Sequence, residues 1–254
     1  MPILPGAEPF QHDGGPIGAL VLHGFTGSPG AVRPWAQFLA DAGLSVRAPR
    51  LPGHGTAWQD LNRTRWQDWL GEAERSHGEL RGRCDTVVVM GLSMGAALAL
   101  RLAHLHRDVA GIVLVNPFLA LRGWQSAVLP VLRWVIPSFP GVINDIARQG
   151  QDEIGYTRVP LQALHSVTRL WDLVVPALPT TTQPLLVFRS ATDHVLGPDG
   201  ARLLLDRVGS ADVEEVVLAD SYHVATLDHD APVIFQRSLE LARRVAGSAQ
   251  PAGG

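Results

Sequence analysis

The chain predicts an α/β fold: a mostly parallel central sheet of about six to seven strands flanked by helices, with a small, mostly helical cap inserted after the strand ending near Asn116. Three observations lead there. Short apolar runs such as TVVVMG and VAGIVLVN do not alternate with polar residues, as expected of strands covered on both faces of a parallel sheet. Segments with apolar residues at helical spacing separate these runs. That rhythm breaks once, between Asn116 and Pro184, over about 65 residues that are too many and too apolar for a bare loop.

In chain order, GALVLH (18–23) reads as the first strand and FTGSPG as a turn cluster. Val32, Trp35, Phe38 and Leu39 mark a helix over 31–42 that Gly43 stops. LSVRAP (44–49) is the next strand, PGHGTAWQDLNRTR (52–65) a loop, and 66–80 a helix with a polar face. TVVVMG (86–91), a helix over 94–105 and VAGIVLVN (109–116) follow. The cap, 118–178, carries Trp124, Leu129, Leu132, Trp134, Val135 and Ile136, then a second helical stretch at 160–175. PLLVFRS (184–190), a helix over 200–208 and EEVVLA (214–219) resume the alternation. A last helix spans 231–246, and GSAQPAGG reads as a frayed tail. The core is then 1–117 with 179–254.

Composition narrows the chemistry. The 254 residues suit one large domain with an insertion. Charged residues make up 18% against roughly 25% in typical domains. All 21 basic residues are arginines. Without lysine there is no Schiff-base lysine for pyridoxal phosphate, no Ser–Lys dyad and no P-loop or kinase lysine. Net charge is −3 and the arginines form no stripe, so nucleic acid is not an expected partner. The lone Cys84 fits a reducing, cytoplasmic setting. The N-terminal stretch MPILPGAEPFQHDGG lacks the charged and apolar regions of a signal peptide. The apolar-rich central run Thr86 to Leu100, 15 residues with two glycines and a serine, falls short of the ~18–20 residues a membrane span needs.

Gly91-Leu92-Ser93-Met94-Gly95 is G-x-S-x-G between a predicted strand and a predicted helix. Glycines there let the chain turn sharply and expose the serine hydroxyl, with the next helix pointing its N-terminus at the same place. Ser93 is therefore the candidate nucleophile. His223, just after the last predicted strand, is the candidate base, and Asp193, just after strand 184–190, the candidate orienting acid. Asp199 is the reserve acid, otherwise a cap of the following helix. His23 directly precedes the oxyanion loop and reads as structural before catalytic. His54, in PGHG, reads as loop architecture, and His104 and His106 as surface groups near a helix end. His77 and His165 carry no motif. His194 adjoins the acid in sequence and reads as a loop residue, and Glu214 and Glu215 as solvated strand residues. The backbone N–H groups of Phe25 and Met94 are the candidate oxyanion donors. Neither H-E-x-x-H nor G-x-G-x-x-G occurs, so neither a metal nor a dinucleotide is expected, and the scheme requires no cofactor.

These stretches resemble the bacterial monoacylglycerol lipases and small thermostable carboxylesterases of the α/β-hydrolase superfamily. The likeness is carried by LVLHGFTGSP (20–29), PRLPGHGT (49–56), GLSMG (91–95), DHV (193–195) and SYHVATLDHD (221–230), with the helix beginning APVIFQRSLE. It implies an α/β-hydrolase fold, Ser93, Asp193 and His223 as triad, and Phe25 and Met94 at the oxyanion. It also implies hydrolysis of a small apolar acyl ester, monoacylglycerol first among them. One departure is Ala96, where many relatives carry a second glycine. The cap resembles the family least, apart from YTRVPLQAL (156–164). Its segment FLALRGWQSAVLPVLRWVI (118–136), charged only at Arg122 and Arg133, packs onto the body, lines an acyl tunnel, or offers a rim for transient membrane or micelle contact. The alternatives are a broad short-to-medium-chain carboxylesterase, an acyltransferase or perhydrolase, and a non-catalytic binder on the same fold.

Overall fold

In chain order the elements are β1 (Phe10–His12), β2 (Ile17–Leu22), α1 (Arg33–Asp41), β3 (Ser45–Ala48), α2 (Trp58–Leu61), α3 (Trp66–Arg81), β4 (Thr86–Leu92), α4 (Met94–Leu105) and β5 (Val109–Val115). The insertion carries α5 (Gly123–Leu132), β6 (Ser138–Pro140), β7 (Arg158–Pro160) and α6 (Leu161–Ala177). β8 (Leu185–Ser190), α7 (Asp199–Arg207), β9 (Val213–Leu218) and α8 (Ala231–Ala249) complete the chain. The computed structural model describes residues 1–121, 123–197 and 199–249. Arg122, the side chain of Trp124 and the end of the GSAQPAGG tail, all named above, lie outside the described residues.

Seven strands form one sheet in the order β1-β3-β2-β4-β5-β8-β9, parallel throughout except β1, which runs antiparallel to β3. This is the α/β-hydrolase arrangement. The apolar strands point alternate residues to opposite faces, and both faces are covered. Leu20, Leu22, Val87, Val89, Ile112 and Leu114 belong to a core shared with α3, α4 and α6. Ala19, Val21, Val88, Met90, Val113 and Val115 belong to a second core under α1 and α8. Burial on both faces is why these strands read as continuous apolar runs. β9, at the edge, alternates instead, and its two acids point to opposite faces, Glu214 pairing with Arg237 of α8 and Glu215 with Arg189 of β8.

Several details refine the sequence reading. β1 was not expected; it is three residues long, and its place is set by β3 and by Arg47, whose guanidinium donates to His12 O at 3.1 Å and Asp13 Oδ1 at 2.6 Å. The 52–65 loop contains the short α2. The insertion is not helical throughout: β6 and β7 pair antiparallel, with an irregular stretch between them. α6, expected within the cap, packs against α3 and α4, and its Trp171 meets Phe118 edge-on at 4.6 Å. α8 continues to Ala249, past the end expected at 246.

Between β2 and β4 the strand order reverses: the chain leaves β2 toward β3 and leaves β4 toward β5. A crevice opens at the carboxyl ends of strands at such a switch point, the usual ligand position in open α/β sheets. The loop after β2 and the turn after β4 meet there.

Candidate active site

Ser93 joins β4 to α4 with φ 57° and ψ −114°, a conformation that side-chain-bearing residues avoid. Close packing enforces it. A Cβ on Gly91 would lie 2.2 Å from the Gly95 carbonyl oxygen, and one on Gly95 2.2 Å from that of Leu22. The Ser93 N–H donates to Val115 O at 2.9 Å, and Ser93 O accepts the Phe118 N–H at 3.2 Å, so the turn is held from β5 as well. Ala96 is fully buried in the core, and its methyl is accommodated because Gly95 makes the close approach. Met94 opens α4, so its N–H is among those left free by the helix and lies at the positive end of the dipole.

Phe25 follows Gly24 in the loop after β2, its ring edge-on to Trp69 at 6.2 Å. His23 holds that loop. It is fully buried, Nε2 accepts the Leu51 N–H at 3.2 Å, and Nδ1 is then left to donate to Gly24 O at 2.9 Å. Burial pulls its pKa down to about 4, so it stays neutral in this role. His54 packs edge-on to His23 at 4.9 Å, and burial likewise keeps it neutral.

His223 and Asp193 come together from loops after β9 and β8. The His223 Nδ1–H donates to Asp193 Oδ2 at 2.8 Å, and the other carboxylate oxygen accepts the Val195 and Leu196 N–H groups at 2.9 and 2.7 Å. Burial alone would lower the His223 pKa. The Asp193 bond and charge, helped by Glu153 and Asp145, outweigh it and raise the imidazole above its ordinary value. Burial pushes Asp193 up, but the His223 bond and charge and the two backbone donors hold it below the usual carboxylate range. The reserve acid, Asp199, lies in the first turn of α7 instead.

Ser93 and His223 line one cavity of about 270 Å³ with Gly24, Phe25, Phe118 and Glu153. Such a set can carry out nucleophilic acyl transfer: a serine at a strained turn, an imidazole fixed in one tautomer by a carboxylate, and a helix N-terminus beside them.

The sequence profile of the family described as "Serine aminopeptidase, S33" matches residues 18–230. The chain is 40% identical to the thermostable monoacylglycerol lipase of Bacillus sp. (strain H-257), over 97% of this chain and 98% of that one. The chain belongs to the α/β-hydrolase superfamily, in the branch of bacterial monoacylglycerol lipases and esterases. A carboxylesterase of Bacillus subtilis (strain 168) is 24% identical over 94% of this hydrolase and 97% of its own length. Among solved structures, a chain described with LipS and LipT, two metagenome-derived lipolytic enzymes, matches with TM-score 0.92 and 36% identity, covering 96% of this chain and 100% of that one. This hydrolase is a carboxylic ester hydrolase of the serine type.

Four other histidines lie outside the cavity lining. His104 and His106, read as surface groups, are half-buried: His104 Nε2 meets Thr181 Oγ1 at 2.8 Å, and the His106 ring lies tilted 4.8 Å from that of the buried His77. His165 Nδ1 accepts from Arg133 at 3.1 Å. Sequence reasoning missed four residues around the site. Asn116, φ 44°, donates to Ser190 Oγ at 2.9 Å and His223 O at 2.8 Å and accepts the Ser190 N–H at 2.8 Å, so it ties the ends of β5 and β8 to the base loop. A polar Asn ending a continuous apolar strand was the available signal. Asp145 and Glu153 gave none and Asp228 stood only within the SYHVATLDHD stretch, because the bonds that give Asp145 and Asp228 their places reach groups 49 to 81 residues away.

Proposed function

We propose that this hydrolase cleaves monoacylglycerols to glycerol and fatty acid through an acyl-enzyme on Ser93. The observation that carries the reading is the cavity's division. Phe118, Leu121, Phe139, Val159 and Leu164 make an apolar wall, and the carboxylate of Glu153 lies in the same space as Ser93. Glu153 Oε1 accepts the Asn144 N–H at 2.8 Å, which leaves Oε2 to accept from a hydroxyl of the glycerol. The wall takes the acyl chain. The similarity to a monoacylglycerol lipase over nearly the full length supports the same substrate class.

In this mechanism His223 takes the Ser93 hydroxyl proton as Oγ attacks the ester carbonyl carbon. Asp193 holds the imidazole in place and stabilises its charged form. The N–H groups of Phe25 and Met94 hold the oxyanion. The tetrahedral intermediate collapses as His223 passes its proton to the departing glycerol oxygen. A water then gives a proton to His223 and its oxygen to the acyl carbon, and the fatty acid leaves as Ser93 is reprotonated.

Val131, in α5's last turn, and Trp134 and Val135, just after it, are 70%, 73% and 76% exposed, and they supply a rim for transient contact with micelles or membrane. Among the described residues no helix is long and apolar enough to cross a membrane. A reducing, cytoplasmic setting is part of the proposal, supported by the single, buried, free Cys84.

A second reading, a carboxylesterase of short-to-medium acyl chains, is favoured by the size of the cavity, below the ~300–1,000 Å³ common for small-molecule sites. One panel separates them: turnover of monoacylglycerols from short to long chain beside diacylglycerol and aryl esters, with Ser93→Ala as control. Preference for monoacylglycerols supports the first reading, and equal or better turnover of simple short esters the second. Wild-type turnover in the Ser93→Ala protein would sink both.

A further inference from the structure

Asp145 lies outside the Ser93–Asp193–His223 set, yet its carboxylate joins the loops that carry the acid and the base. It sits in the irregular stretch between β6 and β7 and is 8% exposed. Oδ1 accepts the His194 Nδ1–H at 2.7 Å. Oδ2 accepts the backbone N–H of His194 at 3.2 Å and that of His223 at 3.1 Å. Its own carbonyl oxygen accepts the Val224 N–H at 3.1 Å. One side chain from the insertion thus gathers the residue after Asp193 and the backbone of the base itself. The His223 ring stays free for Asp193 and the serine. A buried carboxylate is costly without donors, and bonds from N–H groups to a charged acceptor are the stronger kind.

A second carboxylate works in the opposite sense. Asp228, fully buried beside the base loop, accepts the N–H groups of Ala147 at 2.7 Å and Arg148 at 2.9 Å from the insertion. It also accepts that of Tyr222 at 2.9 Å. The segment 145–148 is therefore bonded to the base loop from both sides. Loops carrying acid and base drift unless something fixes their separation, and a displacement of about 1 Å can cost on the order of a hundredfold in rate.

We infer that Asp145 is a positioning residue for the ester hydrolysis proposed above, making segment 145–148 a fixed strut of the catalytic centre rather than part of a movable lid. The inference rests on that hydrolase reading. The His223 imidazole is faced by three carboxylates: Asp193 bonded to Nδ1, with Glu153 and Asp145 acting through charge. His194 is the nearby ring, held on Asp145 and edge-on to Tyr222 at 4.6 Å. Asp145→Asn keeps the shape but removes one negative charge and turns one acceptor into a donor facing N–H groups. It therefore lowers both the rate and the pH at which His223 loses its proton. A purely structural residue would move stability and leave that pH in place.

The test uses the full chain, a soluble p-nitrophenyl ester over a pH series, labelling of the active serine by a fluorophosphonate, and thermal unfolding. For Asp145→Asn we expect kcat to fall about ten- to hundredfold with KM little changed, and the acid limb of kcat/KM to move to lower pH. Asp145→Glu restores the charge and returns the limb toward its wild-type position. His194→Ala removes one tether but keeps the charge; we expect a smaller loss of kcat with the limb in place. A folded Asp145→Asn protein with wild-type kcat and an unmoved limb overturns the inference. Where that variant does not fold, wild-type kcat in His194→Ala overturns it and a reduced kcat supports it. A wild-type chain that is neither labelled nor active overturns the hydrolase reading together with this one, whereas an active wild type beside a wild-type-like Asp145→Asn overturns this one alone.

Discussion

Gly24 lies so close to Ser93 that a Cβ on it would stand 3.2 Å from the serine Cβ and 3.7 Å from Oγ. The loop after β2 therefore approaches the nucleophile through a residue that has no side chain. Gly24→Ala fits the backbone but presses on the attacking group. We expect kcat/KM on a soluble aryl ester to fall about tenfold, roughly 1.4 kcal/mol of transition-state stabilisation, with the folded state retained. Unchanged kinetics would show that the contact is slack.

Ser93 holds a positive φ that Ala tolerates no better, whereas Gly adopts it freely. Ser93→Ala and Ser93→Gly should both lose ester hydrolysis. Between these two inactive proteins, the glycine variant should be the more stable by about 1 kcal/mol, after its larger unfolded-state entropy is set against the strain. Chemical denaturation of the pair reads the difference; equal stability would mean the turn is not strained.

Because Asp193 raises the His223 pKa, the base stays protonated, and idle, to a higher pH than an ordinary imidazole. The acid limb of kcat/KM should lie above the ordinary histidine value of about 6.5. Asp193→Asn should shift that limb to lower pH and reduce kcat on the order of 10³–10⁴-fold, through loss of tautomer control. A pH–rate series on both proteins checks position and size together.

Stability should fall as pH drops from about 6.5 toward about 4. His23 and His104 are held neutral to about 4 by burial, while the unfolded chain takes up those protons near 6.5. The unfolded state then binds more protons across that window, so stability is full above it and lost on descending through it. Asp193 adds to the loss at still lower pH, since its depressed pKa contributes stability only while it is ionised. His223 runs the other way, with stability present at low pH and lost as pH rises through its raised value. Thermal unfolding across pH 4–7 tests the window, and His104→Gln, whose neutral amide offers Thr181 both a donor and an acceptor, should flatten the slope.

The elements that were legible were those whose own residues carry the signal. β4 and β5 are apolar from end to end because both their faces are covered, and α4 announces itself by the glycine-flanked serine before it. β1 was not legible, since FQH becomes a strand only by bonding to the edge of β3. Nor was the β6–β7 pair, where Pro140 and Pro160 argue against a ladder until the two segments face one another. Glu214 and Glu215, read as solvated, keep partly exposed side chains, and their pairing with Arg237 of α8 and Arg189 of β8 is announced by no local pattern.

By itself the sequence determined the order of the main strands and helices of the core, the glycines that permit the Ser93 turn, and which serine, aspartate and histidine were available to meet. Periodicity and steric need are local and leave local marks. Only the tertiary structure decided that the His223 ring sits 2.8 Å from Asp193, and that Asp145 from the insertion holds both their loops. These bonds join segments 30 to 78 residues apart, largely through backbone N–H groups, which every residue but proline carries. A contact made by the backbone leaves no trace in residue identity, so the positions that hold the site in place become visible only when the chain is folded.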